Sequence, residues 1–330
     1  MTFGTEWGWG TERDISKRIF TRYLEAGGNF IDTADMYTAG RSEEWLGEFI
    51  REAGARDQVV LATKFTFNAQ PGNPNAGGNG RKNIYRALEG SLRRLKTDYV
   101  DLYWMHAWDT VTPVEEVVGT LTDLVKAGKI RAIGLSDVPA WYAARAYTLA
   151  ELRGWEKVAA LQFEYSLIAR NIEREHVFLA QELDLGICPW SPLAGGFLSG
   201  RYKKTAQGFE GAGRVQTIKS MGHPVMERVT ALEKNWKILE VLHSVAKELG
   251  RSPAEVALNW IAHRPGVAST IVGATKPEQL EANIKVLEFQ IPESQSRRLE
   301  EVSRPEPTEL DHFFQPFVQG MIHGGLPVSR

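Results

Sequence analysis

The 330-residue sequence predicts an α/β fold in which one (β/α)8 barrel forms a single domain. Short β-rich runs alternate with longer segments of helical period, which is typical of βα units around a parallel sheet. Runs such as VVLATKF are apolar throughout, and this indicates strands that helices cover on both faces. No change in composition divides residues 1–330, so we expect one domain, with residues 305–330 as a tail that packs over the barrel or at a subunit contact.

A doubly wound parallel sheet is the main alternative. That fold is expected to carry a GxGxxG fingerprint directly after its first strand. The nearest glycine cluster, GGNG at 77–80, follows no predicted strand and lacks this spacing. We therefore interpret the cluster as a flexible loop and favour the barrel.

The first part of the chain reads as two βα units. A helix is predicted after Thr11, whose spacing to Asp14 suggests a capping box, and the glycines at 27–28 end it. The strand NFID, the helix SEEWLGEFIREAG and the strand VVLATKF follow, and then a long loop spans residues 66–80. The pattern predicts a sheet that grows strand by strand in chain order.

The rest of the chain repeats this alternation. The helix NIYRALEGSLRRL leads to the strand YVDLYWMH, and Thr112, Pro113 and Glu115 predict the start of the next helix by an N-cap, a proline and a capping-box acid. The further predicted strands are IRAIGLS, AALQFEY, GICPWS and STIVGA. Seven strands result, one fewer than a closed barrel of this class needs.

Composition excludes several classes of function. The formal net charge is −2, with both signs spread along the chain, so neither nucleic acid nor an anionic membrane surface is an expected partner. Cys188 is the only cysteine, which excludes a disulfide framework and multi-cysteine metal sites, and no metal is predicted. No membrane span and no signal peptide are recognisable, so we expect a cytoplasmic protein.

Four polar residues stand at or just after the ends of three consecutive predicted strands: Asp32, Tyr37, Lys64 and His106. Taken singly, each has a structural explanation, such as a turn cap or a buried polar tip with a backbone partner. Because the functional residues of such barrels cluster where the strands end, the four can converge at the barrel mouth. There a lysine ammonium would lower the pKa of a phenol, a carboxylate would hold the lysine, and an imidazole would orient a carbonyl oxygen.

In order and context these residues resemble the aldo-keto reductase superfamily, in its branch of aryl-alcohol dehydrogenases and potassium-channel β subunits. GGNFIDTADMY matches the family motif with its aspartate and tyrosine at Asp32 and Tyr37, LATKF carries its lysine at Lys64, and DLYWMHAWD carries its histidine at His106. The resemblance implies a (β/α)8 fold, NADPH, and reversible reduction of aldehydes or ketones to alcohols.

The resemblance also implies a cofactor site in the second half of the chain. It implies that Ser136, Asp137 and Gln162 contact the carboxamide of the nicotinamide and that the ring of Trp190 stacks on the nicotinamide. The pyrophosphate segment and the adenosine phosphate contacts would be Ser191, Pro192, Leu193, Gly195, Arg201, Gly273, Thr275, Lys276, Gln279 and Asn283. The charge of Lys276 suits a 2′-phosphate, which favours NADPH over NADH.

The sequence departs from the family pattern at three places. Asp137 stands where many relatives have asparagine, and Ala282 where many have glutamate, so the amide and adenine contacts differ. The family also has a hairpin, a first barrel strand and a Gly-Thr pair just before the position of Met1. We expect a native chain longer by roughly 20 to 30 residues, or else a barrel gapped between its second and eighth strands.

Three functions stay open. The first is an NADPH-dependent reductase with Tyr37 as proton donor, the second a barrel lyase with Lys64 as Schiff-base nucleophile, and the third a cofactor-binding subunit like the channel β subunits. A small carbonyl compound is the expected substrate, and a homo-oligomer is left open. Four aromatic residues are candidates for the substrate pocket: Trp7, Trp9, Phe65 and Trp108.

Overall fold

A computed structural model describes residues 1–206, 208–211, 213, 215–217, 224–326 and 328. Its centre is a sheet of six parallel strands that pair in chain order. The strands are β1 Phe30–Asp32, β2 Val60–Phe65, β3 Val100–Met105, β4 Ile130–Ser136, β5 Val158–Glu164 and β6 Gly186–Trp190. The sheet is curled, and the prediction of an α/β fold with an incomplete (β/α)8 barrel is confirmed.

Helices follow the strands and cover the outside of the sheet. Those up to β6 are α1 Arg13–Glu25, α2 Arg41–Ala53, α3 Arg81–Leu95, α4 Val114–Lys126, α5 Ala140–Arg153 and α6 His176–Glu182. Beyond β6 lie α7 Pro224–Ala231, α8 Glu233–Glu248, α9 Pro253–Ala262, α10 Pro277–Ile284, α11 Glu293–Ser303, α12 Glu309–Phe313 and α13 Pro316–Ile322. A small antiparallel hairpin of β7 Lys203–Thr205 and β8 Gly208–Glu210 lies between β6 and α7 in the chain.

Alternate residues of the strands face two different layers. Most of the apolar core lies between the sheet and the helices. A smaller cluster fills the inside of the curled sheet, and its largest member is the fully buried Trp104. Gly134 on the neighbouring strand leaves room for that indole, because a Cβ there would lie 2.1 Å from Trp104 Cε3.

The seventh predicted strand, STIVGA, is not a regular strand. Residues 267–271 lie parallel to β6 through one bridge, Ile187 with Val267, and the hydrogen bond from Ile271 N to Pro189 O (2.9 Å). On the other side of the sheet, Tyr23 Oη donates to Phe30 O (3.0 Å) and accepts from Phe30 N (3.3 Å), so a side chain occupies that edge of β1.

Between β1 and this segment the sheet stays open in the part of the chain that the structure describes. A cavity of about 180 Å³ lies there, lined mainly by apolar side chains of α1, β1 and residues 269–274. The expected gap in the barrel wall is therefore present.

Both predicted helix caps are wrong. α1 begins without a side-chain cap, with Glu12 at the N-cap position, and Thr11 instead accepts a bond at its backbone oxygen from Ser16 Oγ (3.3 Å). α4 has Pro113 at its N-cap position, because Thr112 donates its hydroxyl to Asp109 Oδ2 (2.6 Å). At α4, a nearby carboxylate thus takes the hydroxyl that would have capped the helix.

The loop 66–80 is anchored at its glycine-rich end. Asn79 in GGNG is fully buried, and it donates from Nδ2 to Ala107 O (2.9 Å) and from its backbone N–H to Asp109 Oδ2 (2.8 Å). Thr66 Oγ1 also bonds to Asn79 Oδ1 (2.6 Å). GGNG therefore lies in a loop, as predicted, and Asn79 ties this loop to the residues that follow β3.

Candidate active site

The ends of β1, β2 and β5 bring a carboxylate, an ammonium and an amide into contact. Lys64 is fully buried, and its Nζ donates to Asp32 Oδ2 and to Thr33 O (2.8 Å). Gln162 Nε2 donates to the other carboxylate oxygen, Asp32 Oδ1 (3.1 Å). The carboxylate that ends β1 is thus held on both oxygens, and it supplies the partner that a buried ammonium requires.

Tyr37 lies in the turn between β1 and α2, above this pair. Three consecutive residues, Thr38, Ala39 and Gly40, have positive φ (49°, 55° and 92°), so the chain turns sharply directly after the tyrosine. Thr38 Oγ1 donates to Phe3 O (2.9 Å), which ties the turn to the N-terminal segment. The Lys64 ammonium lies 5.2 Å from the centre of the Tyr37 ring.

The pKa values of this group follow from burial and charge. Burial is the largest single effect on the pKa of Lys64 and would lower it, but the interactions with Asp32 and Tyr37 together outweigh burial, so this pKa is raised. Burial raises the pKa of Tyr37, while the Lys64 charge acts in the opposite direction. Lys64 thus lowers the pKa of Tyr37, as predicted, but in the protein alone this effect is smaller than the rise caused by burial.

His106 completes the set at the end of β3. Its ring lies edge-on to Tyr37, with 5.7 Å between ring centres, and 4.8 Å from the ring of Phe67. Burial, followed by the charge of Lys64, lowers the pKa of His106 to about 2, so the imidazole is neutral over the ordinary pH range. Its buried Nδ1 has no hydrogen-bond partner among the described residues. A neutral, unsatisfied imidazole beside a phenol suits a polar group of a bound molecule.

The ends of β4 and β6 place an acid beside an indole. Ser136 is buried, and Asp137 follows it with a φ of 48°. Asp137 Oδ1 accepts from Trp190 Nε1 (3.2 Å), which fixes the orientation of the half-buried indole ring. Desolvation raises the pKa of Asp137 to about 6, opposed by the Trp190 bond, although the residue keeps a solvent-exposed side.

The segment after β6 is a tight turn. Ser191, Ala194, Gly195 and Gly196 all have positive φ, and the N–H groups of Ala194 and Gly196 donate within the turn to Ser191 O (2.8 Å) and Leu193 O (2.9 Å). Pro192 is buried and Leu193 half-buried in the same turn, while Arg201 is exposed ten residues after Ser191.

The segment before α10 offers further polar groups. Thr275 donates to Gln279 Oε1 from its backbone N–H (2.9 Å) and from its hydroxyl (3.2 Å), so these two predicted contact residues bind each other. Lys276 is exposed at the N-cap position of the helix. Gly273 and Asn283 line the cavity beside β1 together with Asp32. The exposed charge of Lys276 would suit a phosphate near the start of α10.

These observations fit a nicotinamide dinucleotide. Amide and hydroxyl groups lie at the ends of β4 and β5, an oriented indole lies at the end of β6, and Arg201 and Lys276 supply exposed positive charge. The structure therefore brings the four predicted catalytic residues together. Of the predicted cofactor residues, Gln162 bonds to Asp32, and Gly273 and Asn283 line a cavity with it.

The aromatic mouth differs from the prediction at one position. Trp7 lies edge-on to Tyr37 (6.0 Å between ring centres) and contacts Trp9 (5.7 Å), and Trp108 stacks edge-on against Trp141 (5.4 Å). Phe65 is not at the mouth, because it is fully buried on the helix-facing side of β2, 4.9 Å from Tyr103. Its place beside His106 is taken by Phe67, which sequence reasoning missed although it lies only two residues further.

Comparison with known proteins agrees with this geometry. The sequence profile of the "Aldo/keto reductase family" matches residues 1–304. The chain is 34% identical to a norsolorinic acid reductase of Emericella nidulans over 91% of this chain and 76% of the relative. It is 31% identical to the aryl-alcohol dehydrogenase [NADP(+)] of Phanerodontia chrysosporium, over 91% and 80% of the two chains. A probable voltage-gated potassium channel subunit beta of Oryza sativa is 34% identical over 87% of each chain. Within the described residues, no helix is long and apolar enough to cross a membrane.

Proposed function

The chain belongs to the aldo/keto reductase family of oxidoreductases, and we propose that it reduces aldehydes or ketones to alcohols with NADPH and with Tyr37 as the proton donor. The observation that carries this proposal is the buried contact of Lys64 with Asp32 beneath Tyr37, next to a neutral His106. The arrangement supplies a proton donor and an oxygen-orienting group on one side of the mouth. A bound nicotinamide would supply the hydride for the carbonyl carbon.

The protein groups would act on the carbonyl oxygen. Tyr37 donates its phenolic proton as the oxygen gains negative charge, and the fixed Lys64 ammonium stabilises the resulting phenolate. Asp32 keeps the lysine charged and in place. His106 donates an imidazole N–H to the same oxygen, which a ring that stays neutral can do without losing charge. Gln162, by holding Asp32, acts as a positioning residue.

Two observations favour NADPH over NADH. Lys276 is exposed at the start of α10, where a cation would pair with a 2′-phosphate, and Arg201 is exposed after the left-handed segment. A relative with 31% identity is named as an NADP(+) enzyme. Replacement of Lys276 by Ala is expected to weaken NADPH binding several-fold and to leave NADH binding nearly unchanged.

The test uses an aromatic aldehyde panel, with NADPH consumption followed by absorbance. Tyr37→Phe is expected to lower kcat by at least 100-fold, because it removes the proton and keeps the ring. Its NADPH affinity, measured by quenching of tryptophan fluorescence, should stay within about threefold of that of the wild type. If Tyr37→Phe keeps most of its turnover, Tyr37 is not the proton donor.

A second candidate function is a cofactor-loaded regulatory subunit, and the potassium channel relative favours it. Tight NADPH binding without turnover on any carbonyl would support that function instead. A Schiff-base lyase is disfavoured, because that chemistry needs a neutral lysine and the pKa of Lys64 is raised. Borohydride trapping of a substrate carbonyl on Lys64 would reverse this conclusion.

A further inference from the structure

The last helices of the chain expose an unusual amount of apolar surface. We call residues 309–326, which contain α12 and α13, the C-terminal arm. Seven of its large apolar side chains are between 59% and 77% exposed: Leu310, Phe313, Phe314, Phe317, Met321, Ile322 and Leu326. With about 200 Å² for each side chain, roughly 900 Å² of apolar surface faces solvent. The largest apolar patch of a typical monomer is about 300–600 Å².

Among the described residues, the side-chain hydrogen bonds that join this end of the chain to the barrel lie at the base of the arm. Arg174 Nη2 donates to Glu306 O (2.7 Å), and Lys234 Nζ donates to Arg304 O. The side-chain hydrogen bonds of the two arm helices with described residues stay within the tail, as in Gln319 Nε2 to Phe313 O (2.8 Å). Helix α13, with the sequence PFVQGMI, has no charged residue. An uncharged and exposed helix is typical of the core of an interface.

The barrel carries a matching apolar patch close to the base of the arm. Trp141 at the start of α5 is 54% exposed, and Phe178 in α6 is 66% exposed. His176 Nε2 bonds to Val138 O (2.9 Å), which holds the starts of these two helices together. Arg174, which binds the base of the arm, precedes α6 by two residues. We call Trp141 and Phe178 the docking patch.

We propose that the C-terminal arm docks on the docking patch of a second copy of this chain. The C-terminal arm and the docking patch are both exposed, although the base of the arm is bound to Arg174, just before α6. Within one chain the arm therefore does not cover the docking patch. In a dimer with a twofold axis near Arg174, the arm of each copy would lie on the docking patch of the other copy. The same rotation would therefore cover both arms and both docking patches. An unrelated partner would cover the arm and leave the patch exposed. The apolar area of the arm exceeds the ~800 Å² that each partner of a standard interface buries.

Solution mass tests the proposal without any assay of activity. Light scattering on the full chain is expected to give twice the 36.9 kDa of one chain. Phe314→Glu combined with Phe317→Glu should raise the dissociation constant at least 100-fold, because two charges would enter the interface core. The matched control is Leu287→Glu, which replaces a side chain 69% exposed outside the arm and should leave the dimer intact. A monomeric wild type, or a double variant that stays dimeric, would overturn the proposal.

Cysteine crosslinking tests which surfaces meet. The one natural cysteine, Cys188, is buried and its pKa is raised to about 12, so it contributes little background. Mixing Phe317→Cys with Phe178→Cys is expected to give a disulfide-linked dimer under mild oxidation, and mixing Phe317→Cys with Leu287→Cys is not. If the two cysteines placed in one chain form only an internal disulfide, the arm covers its own barrel and the proposal is wrong.

Discussion

Asp35, two residues before Tyr37, is the residue whose charge is least compatible with its surroundings. It is 5% exposed, and its Oδ1 has no hydrogen-bond partner among the described residues. Fully buried Glu43 lies nearby and accepts from Thr63 Oγ1 (2.5 Å) and Arg94 Nε (2.6 Å). Burial, followed by the charge of Glu43, raises the pKa of Asp35 to about 7.

This raised pKa predicts the direction in which pH changes stability. In the unfolded chain Asp35 loses its proton near its ordinary pKa of 3.8, whereas in the folded protein it keeps the proton until about 7. The free energy of unfolding therefore falls as pH rises through this window, and the loss persists above it. Asp35→Asn should remove the effect and be more stable than wild type at pH 8, by roughly 1–4 kcal/mol. Urea unfolding between pH 4 and 8 measures this, and parallel curves for the two proteins would contradict it.

Asp137 predicts a pH dependence of cofactor binding. Its pKa is raised to about 6, and it is the partner of the Trp190 indole at the predicted nicotinamide site. Above pH 6 it is an acceptor only and repels a negatively charged ligand. Asp137→Asn should therefore bind NADPH several-fold more tightly at pH 8 and about equally at pH 5. At each pH the dissociation constant of the variant is divided by that of the wild type, which removes the effect of NADPH phosphate titration because it is the same for both proteins. A ratio that does not change with pH would exclude this role of Asp137.

At the scale of single elements, the close approach of β3 and β4 depends on Gly134. A methyl group there would overlap the Trp104 indole, which is fully buried in the inner cluster. Gly134→Ala should lower the free energy of unfolding by about 1–3 kcal/mol. Gly119→Ala, in α4, is the matched control, because its methyl group would make an ordinary 3.4 Å contact with Trp155 and should stabilise the helix by about 0.5–1 kcal/mol. Denaturant midpoints of the two variants should therefore shift in opposite directions.

The sequence was informative about elements wherever a local pattern decides the outcome. Strand periodicity and the position of a polar residue at each strand end were enough to bring Asp32, Lys64 and His106 together, because parallel strands end at one edge. Local patterns failed where a contact depends on a residue that is far away in the sequence. The Gln162 bond to Asp32 joins residues 130 positions apart, and no local signal distinguishes it from the predicted amide contact.

Side-chain direction at a strand end was the other source of error. Lys64 faces the inside of the sheet, so its neighbour Phe65 must face the helices, and period-two alternation would have indicated this. The segment 269–274 has a strand-like sequence, but its neighbour on the far side is the cavity beside β1. A β-rich sequence becomes a regular strand only when a paired partner supplies its hydrogen bonds, and propensity does not contain that information.

At the scale of the whole molecule, side chains and not strand pairing join the two sides of the open wall among the described residues. Ile19 of α1 packs in a small apolar cluster with Ala274 and Leu280. Segment 267–271 is held by its bonds to β6, and α10 is joined to α1 by the ion pair of Glu281 Oε1 with Arg22 Nε (2.5 Å). The proposed phosphate contacts lie on this side of the gap, whereas the proposed catalytic residues lie at or just after the ends of β1, β2 and β3. Cofactor binding would therefore add contacts across a gap that no strand pairing closes among the described residues.

This arrangement predicts that NADPH stabilises the protein strongly and most of all near the gap. A ligand at 100 times its dissociation constant stabilises the folded state by about 2.7 kcal/mol, which should raise Tm by roughly 5 °C for a chain of this size. Hydrogen exchange should slow most in residues 269–284, because their backbone bonds to the sheet are few. NADH at the same concentration serves as the control and should give a smaller increase, since it lacks the phosphate that Lys276 would bind. Equal protection by both nucleotides would show that Lys276 does not select the cofactor, and protection restricted to the strand ends would show that the nucleotide does not cross the gap.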